Sequence, residues 1–322
     1  VLRCPACNAG VCRSDAPYVC DVCREAIPLR DGFPSLTEYN DFYENQCTNT
    51  LKIPLVDRVR FPLKPLAYVD FVCNERHRRN RFFRRVMNRL PRRDAVLDIG
   101  CGGGMEIWCE LGHVVGLSNS LTGLRQAHRI YSACVHADIS EGLPFPSASF
   151  DYIAALDIVG HFDEAGRNKL LSEIHRCLRP DGHLIAVIEG LGDWFDDYKR
   201  KYPGIGEAYL DAGIKRAGHI GLESSIRILR RLRDNGFVVE HDEPFGAHPG
   251  AVEGNFTPYF EHFPPKSTLD AIAKSISRIV RHSRVATRIA DNIFGVINSI
   301  NLRRSGTRWH DGVLVLCRKR DA

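Results

Sequence analysis

Between residues 95 and 190 short apolar runs alternate with amphipathic stretches. The runs at 95–99, 113–117, 134–137, 150–156 and 183–188 are rich in Val, Ile, Leu and Ala and bounded by Gly, Pro, Asp or Ser. That pattern predicts buried strands. Stretches with helical spacing at 105–111, 121–131 and 164–178 fit between them. Strand–helix alternation predicts an α/β fold, a Rossmann-like doubly wound parallel sheet. Further on, 222–240 reads as a basic helix and a strand, and 312–317 as a last strand. Before the sheet, 37–94 reads as mainly helical. Leu269, Ile272, Ile276, Ile279, Ser283, Ala286, Ile289, Ile293, Ile297 and Ile300 recur at spacings of three or four. They predict one or two long helices over 268–302 with an apolar face. Such a face packs on the domain, on a second copy in a homodimer, or on a membrane surface.

Charge changes this picture in one place. Residues 51–94 hold 13 Lys or Arg against four acidic residues, although the whole chain of 322 residues carries only +5. A basic segment of this kind is either a solvated helix face or a surface for an anionic partner such as RNA. No apolar run approaches about 18 residues, so no transmembrane helix is expected. The opening residues carry no basic-then-apolar signal segment. Of the 12 cysteines, eight are scattered without paired spacing, which points to a reducing, cytoplasmic compartment.

The first strand runs into Asp98-Ile99-Gly100-Cys101-Gly102-Gly103-Gly104. Glycines allow a tight turn and a ligand close to the backbone, and a helix opening after them would point amides at that ligand. The dinucleotide fingerprint G-x-G-x-x-G would need glycine at 105, where Met105 stands. Asp-x-Gly-x-Gly-x-Gly resembles motif I of the class I S-adenosylmethionine (SAM) methyltransferases. Val114–Ser120, Ala137-Asp138-Ile139, Leu143–Pro146 with Ser149-Phe150-Asp151, and Leu178–Leu184 follow in that family's order. The resemblance covers about 95–190. It implies a cofactor lined by Gly100, Cys101, Gly102 and Gly104, with Asp98 toward the ammonium of its amino-acid end. Asp138 would accept from the adenine amino group beside the Ile139 backbone. The family's usual ribose-binding acid is replaced by Ser118, followed by Asn119, so the ribose role falls to these two or to another acid reaching in.

Cys4-x-x-Cys7 and Cys20-x-x-Cys23 stand twelve residues apart. Two such knuckles can close a tetrahedral S4 zinc site, and a segment this short needs a metal for stability. Residues 1–36 resemble the small zinc-ribbon proteins that activate methyltransferases. The implied organisation is a zinc ribbon at 1–36, a helical basic segment at 37–94, and a SAM-binding domain at 95–322. Insertions at about 190–221 and 244–310 concentrate aromatics and read as acceptor-binding loops.

The acceptor chemistry belongs at the exit of the fourth strand. His161 titrates in the useful range and acts there as a general base or shapes the pocket. Glu189, just past the fifth strand, is the second catalytic candidate. Asp157 contacts the cofactor or orients a neighbour. His241, His248 and His262 offer a weaker metal set. The exit lacks the Asn/Asp-Pro-Pro-aromatic stretch of enzymes that methylate exocyclic base amines. The first expectation is therefore O-methylation of a small molecule, such as a sugar, a lipid-linked intermediate or a secondary metabolite. Ribosomal RNA guanine-N1 methyltransferases also begin with a zinc site, which makes RNA second. A non-catalytic SAM-fold binding module is third.

Overall fold

The computed structural model describes residues 2–8, 11, 12, 18–38, 44, 78–192, 218–245 and 312–320, with isolated positions at 200, 203, 275, 286, 289, 292, 293, 296 and 300. The apolar runs become β5 (Ala95–Ile99), β6 (His113–Ser118), β7 (Ala133–His136), β8 (Phe150–Leu156) and β9 (Leu178–Glu189). They pair in parallel, and β10 (Phe237–Phe245) and β11 (Gly312–Lys319) complete a seven-stranded sheet of order β10-β11-β9-β8-β5-β6-β7. Only β11 runs antiparallel to its neighbours, β9 and β10. This is the Rossmann-like fold of the class I methyltransferases.

Side-chain alternation explains why the strands are central. Leu97, Ile99, Ile153 and Ala155 face one core with Leu170, Leu171 and Ile174 of α3 (Glu164–Cys177). Val96, Tyr152 and Ala154 face the other, with Trp108, Leu124 of α2 (Leu121–Ala127), and Phe82 and Phe83 of α1 (Arg78–Met87). Burying each large apolar side chain contributes about 1.5–3 kcal/mol before the entropic costs of ordering it. Two of the helices, α2 and α3, start at capping side chains. Asp163 accepts from the Gly166 amide, and Ser120 from the Gly123 amide. A fourth helix, α4 (Ser225–Asp234), leads into β10.

Four boundaries depart from expectation, the simplest being β9, which begins at Leu178 rather than at 183 because Phe150 of β8 already pairs with Leu178. The stretch after motif I is a 3-10 helix, Glu106–Glu110, not an α-helix at 105–111. The glycine turn uses up residues before it and β6 begins at His113, so a full α-helix has no room. The helix expected over 121–131 ends at Ala127. Beyond it the amides of Ile130 and Tyr131 share the Ala127 carbonyl, a tightening that redirects Tyr131 inward. Finally, the strand expected to end at Glu240 continues to Phe245, because β11 pairs with it as far as Phe245 opposite Gly312.

The N-terminal residues form two small antiparallel pairs, β1 (Leu2–Arg3) with β2 (Val11–Cys12) and β3 (Leu29–Arg30) with β4 (Phe33–Pro34). Their tail docks on the sheet. Ser35 bridges His136 in parallel, the Leu36 amide donates to the His136 carbonyl at 2.8 Å, and the Arg3 amide donates to the Pro144 carbonyl at 2.9 Å. Most of 37–77 and of both insertions lies outside the described residues. Within 268–302, Ile289, Ile293, Val296 and Ile300 are helical and exposed. Among the described residues no helix is long and apolar enough to cross a membrane.

Candidate cofactor and acceptor site

β5 lies where the chain reverses direction across the sheet, and ligands of such sheets bind beyond the carboxyl ends of the strands at that point. Gly100, Gly102 and Gly104 all take positive φ there, 66°, 50° and 81°. The amides of Gly100 and Cys101 both donate to the Leu117 carbonyl, pinning the turn to β6. A Cβ on Gly100 would run into the Ile158 side chain, and one on Gly104 would lie 2.9 Å from Ile130 Cδ1. A Cβ on Gly102 meets nothing within 4 Å. Two glycines thus serve packing, and the third faces open space that a ligand can occupy.

Asp98 is buried beneath this turn, with Oδ2 accepting from the Tyr131 hydroxyl at 2.6 Å. The same hydroxyl accepts from the Met105 amide at 2.6 Å. Burial pushes the Asp98 carboxyl up to about 7, against the lowering effect of the Tyr131 bond. Among the described residues no cation stands against this carboxyl. Tyr131 was not legible as a site residue, because the periodicity assigned it to a helix.

Ser118 ends β6 and its hydroxyl accepts from the Ser120 amide at 3.1 Å. Asn119 follows, half-buried. An acid does approach here. Glu44 is buried and accepts from the Ser120 hydroxyl at 2.9 Å, and from the Thr122 amide and hydroxyl. Burial alone would raise its pKa, but these donors hold the carboxyl below the usual range. Glu44 thereby caps α2. Asp138 and Ile139 follow β7, half-buried, and Asp138 Oδ1 accepts from the Ser140 amide at 2.8 Å.

At the exit of β8, Asp157 takes φ 56° and receives both guanidinium nitrogens of Arg79 from α1. His161 ends the 3-10 turn Val159–His161, and its Nδ1 lies 3.2 Å from the Gly218 carbonyl. Glu189 ends β9. The two catalytic candidates meet there, together with His219 from the first insertion, which sequence reasoning missed. His219 Nε2 lies 2.5 Å from Glu189 Oε2, and the His161 and His219 rings are 4.6 Å apart. Burial, and then the neighbouring His219, lower the pKa of His161. His241 belongs elsewhere. It stacks on Phe82 at 5.8 Å and pairs with Glu243, while His248 and His262 lie outside the described residues.

The four knuckle cysteines gather at the opposite end of the chain. Their sulfurs lie within 4.8 Å of one another, with Cys4–Cys23 at 3.5 Å and Cys7–Cys20 at 3.7 Å. Four sulfurs about 2.3 Å from a shared tetrahedral ion would stand about 3.8 Å apart. A disulfide would bring two of them to about 2 Å. The amides of Val22 and Cys23 both donate to Cys20 Sγ at 3.4 Å. The donor set fits zinc.

Residues 97–186 match a family described as a methyltransferase domain. The chain carries a methyltransferase domain. Its class binds SAM. Over 125 residues the chain is 36% identical to 27-O-demethylrifamycin SV methyltransferase of Amycolatopsis mediterranei, covering 34% of this chain and 43% of that protein. Over 100 residues it is 34% identical to an uncharacterised protein of Methanocaldococcus jannaschii, covering 31% and 39%. The chain thus spans about two fifths of the length of these curated relatives. Among solved structures, phosphoethanolamine N-methyltransferase 2 of Haemonchus contortus, in complex with phosphomonomethylethanolamine and S-adenosylhomocysteine, aligns with a TM-score of 0.48 at 18% identity, over 90% of this chain and 62% of that one.

Proposed function

We propose that this protein is a SAM-dependent methyltransferase that O-methylates a small-molecule acceptor. The observation that carries this reading is the convergence of His161, Glu189 and His219 beyond the carboxyl ends of β8 and β9, next to β5 and the glycine turn, where Gly100 meets Ile158. SAM supplies an activated methyl group. The glycine turn and Asp98 hold its amino-acid end, Ser118 and Asn119 its ribose, and Asp138 with Ile139 its adenine. The protein's remaining work is to orient an acceptor hydroxyl and accept its proton. His161 and Glu189 stand where that work is done, at the ends of the turn after β8 and of β9.

Pairing within the basic segment supports a small acceptor over RNA. Arg79 grips Asp157, Arg85 grips Glu243 at 2.8 and 2.6 Å, and Arg92 donates to the Cys109 carbonyl at 2.8 Å. Arginines used in this way are not offered to phosphates. The four cysteines hold a structural zinc, which closes all four coordination positions and leaves none for chemistry. None of the nine cysteines whose side chains are described is in a disulfide, which fits a reducing, cytoplasmic setting. The test is a methyl-transfer assay with labelled SAM against hydroxylated small molecules, among them sugars and polyketides, and against ribosomal RNA. Label in an extracted small molecule, lost in His161→Ala, is the expected result. Label at one RNA base would replace this acceptor class.

A further inference from the structure

We propose that His161, Glu189 and His219 form a divalent-metal site that grips an oxygen of the acceptor. This deepens the methyltransferase reading and rests on it. Each residue offers one ligand atom, and the three atoms lie within 4.8 Å of one another. Two imidazoles and a carboxylate are the donor set of catalytic zinc and of open iron(II) sites, which leave positions for water or substrate. Magnesium and calcium favour all-oxygen shells, so the nitrogen donors point to a zinc-class ion.

His219 Nε2 stands 2.5 Å from Glu189 Oε2, so the two groups already meet in one direct contact. Ligand atoms about 2.0–2.1 Å from a shared tetrahedral ion would stand about 3.3 Å apart, so an ion enters by parting this contact and bonding to both.

The surrounding structure holds the three donors in place, as metal ligands require. The Gly160 carbonyl accepts from the amides of Ile220 and Gly221, both at 3.1 Å, which closes the His219 segment over the His161 turn. A Cβ on Gly160 would stand 2.9 Å from Leu222 Cδ2 and 3.6 Å from Glu189 Oε2, so glycine permits the closure. Arg167, buried in α3, donates to the carbonyls of Phe162 and Gly221. Glu223 then pairs with Arg167 at 3.6 Å and with Arg231 at 2.7 Å. His219 is thus presented by a braced segment.

Three protein ligands leave at least one coordination position for the acceptor oxygen. An ion there lowers the pKa of a hydroxyl and fixes its approach to the methyl donor. The hydroxyl proton leaves to water, and the oxygen pair forms the new O–C bond. The C–S pair stays on sulfur, and the ion is unchanged. An acceptor with two neighbouring oxygens, such as a vicinal diol, can fill two open positions and is the favoured class.

The test uses the full chain, purified without chelator, with metal content measured by mass spectrometry and SAM binding by calorimetry. Two zinc ions per chain are expected, one of them lost in His219→Ala and in the near-isosteric Glu189→Gln, with SAM affinity within about twofold of wild type in both variants. Cobalt loaded at the second site should show visible d–d absorption without the sulfur-to-metal charge-transfer band of the cysteine site. A single zinc per chain that does not change in either variant, with SAM still bound, overturns the metal site and leaves the methyltransferase reading standing. Absence of SAM binding in the wild type overturns that reading instead.

Discussion

Asp98 shows how one buried group can set a pH dependence. Its folded-state pKa of about 7 lies above the ordinary carboxylate value. A raised acid favours the folded state below its unfolded pKa, and that contribution is lost as pH rises from about 4 through about 7. The ligand's ammonium opposes the loss, since it pairs only with the ionised carboxylate. SAM affinity should therefore rise with pH, with binding roughly tenfold weaker at pH 6 than at pH 8, because about nine in ten carboxyls carry a proton at pH 6. Calorimetry at both values checks this. Asp98→Asn should bind weakly and flatten the profile, and an unchanged slope in that variant would remove Asp98 from the ammonium site. The same residue marks what sequence could and could not reveal. Asp98 stood out through the glycines after it, whereas its hydroxyl partner Tyr131 lay in an apparently regular helical stretch. His219 was hidden for a related reason. It sits in an insertion far along the chain from His161 and Glu189, so only the folded segment brings the three together.

At the level of elements, the buried strands were the most legible. β5 and β8 run over the expected residues, because apolar side chains on both faces leave a parallel strand little freedom in register. The element after motif I was misread because helical spacing over so few residues does not separate a 3-10 turn from an α-helix. Glu44, which reaches α2 from a distant part of the chain, had no local signal at all. The α1 helix was expected as part of a basic segment, but its charge pattern concealed internal pairing. Arg79 and Asp157 are each about a third exposed, so their ion pair contributes less than about 1 kcal/mol to global stability. Its effect is local. Asp157→Ala should leave the melting temperature within about 2 °C while raising amide exchange over 78–87, as read by hydrogen–deuterium exchange mass spectrometry. A global loss of stability would mean that Asp157 supports the sheet rather than the helix.

For the molecule as a whole, the cysteine knuckles, proposed to hold zinc, meet the sheet along a short seam. Ser35, Leu36 and Arg3 bond to residues beside β7, and Asp31 pairs with Arg125 of α2. Chelation should unfold the N-terminal unit while the sheet, with its own two-sided core, keeps its secondary structure. Circular dichroism should change little, and proteolysis should cut first within residues 1–36. Loss of the whole far-ultraviolet signal on chelation would show a single cooperative unit instead.

The position of that seam matters for solubility. β7 ends the order of strands, and Ser35 and Leu36 lie along its outer edge. An uncovered strand is a template for pairing with another chain, and proteins suppress this by covering or charging it. Here the cover is held in place by four thiolates at the far side of the knuckles. With the proposed zinc bound, oxidation of those thiols would do more than release the ion. It would uncap the sheet, and clumping of otherwise folded molecules, edge against edge, would be the first visible sign of oxidative damage.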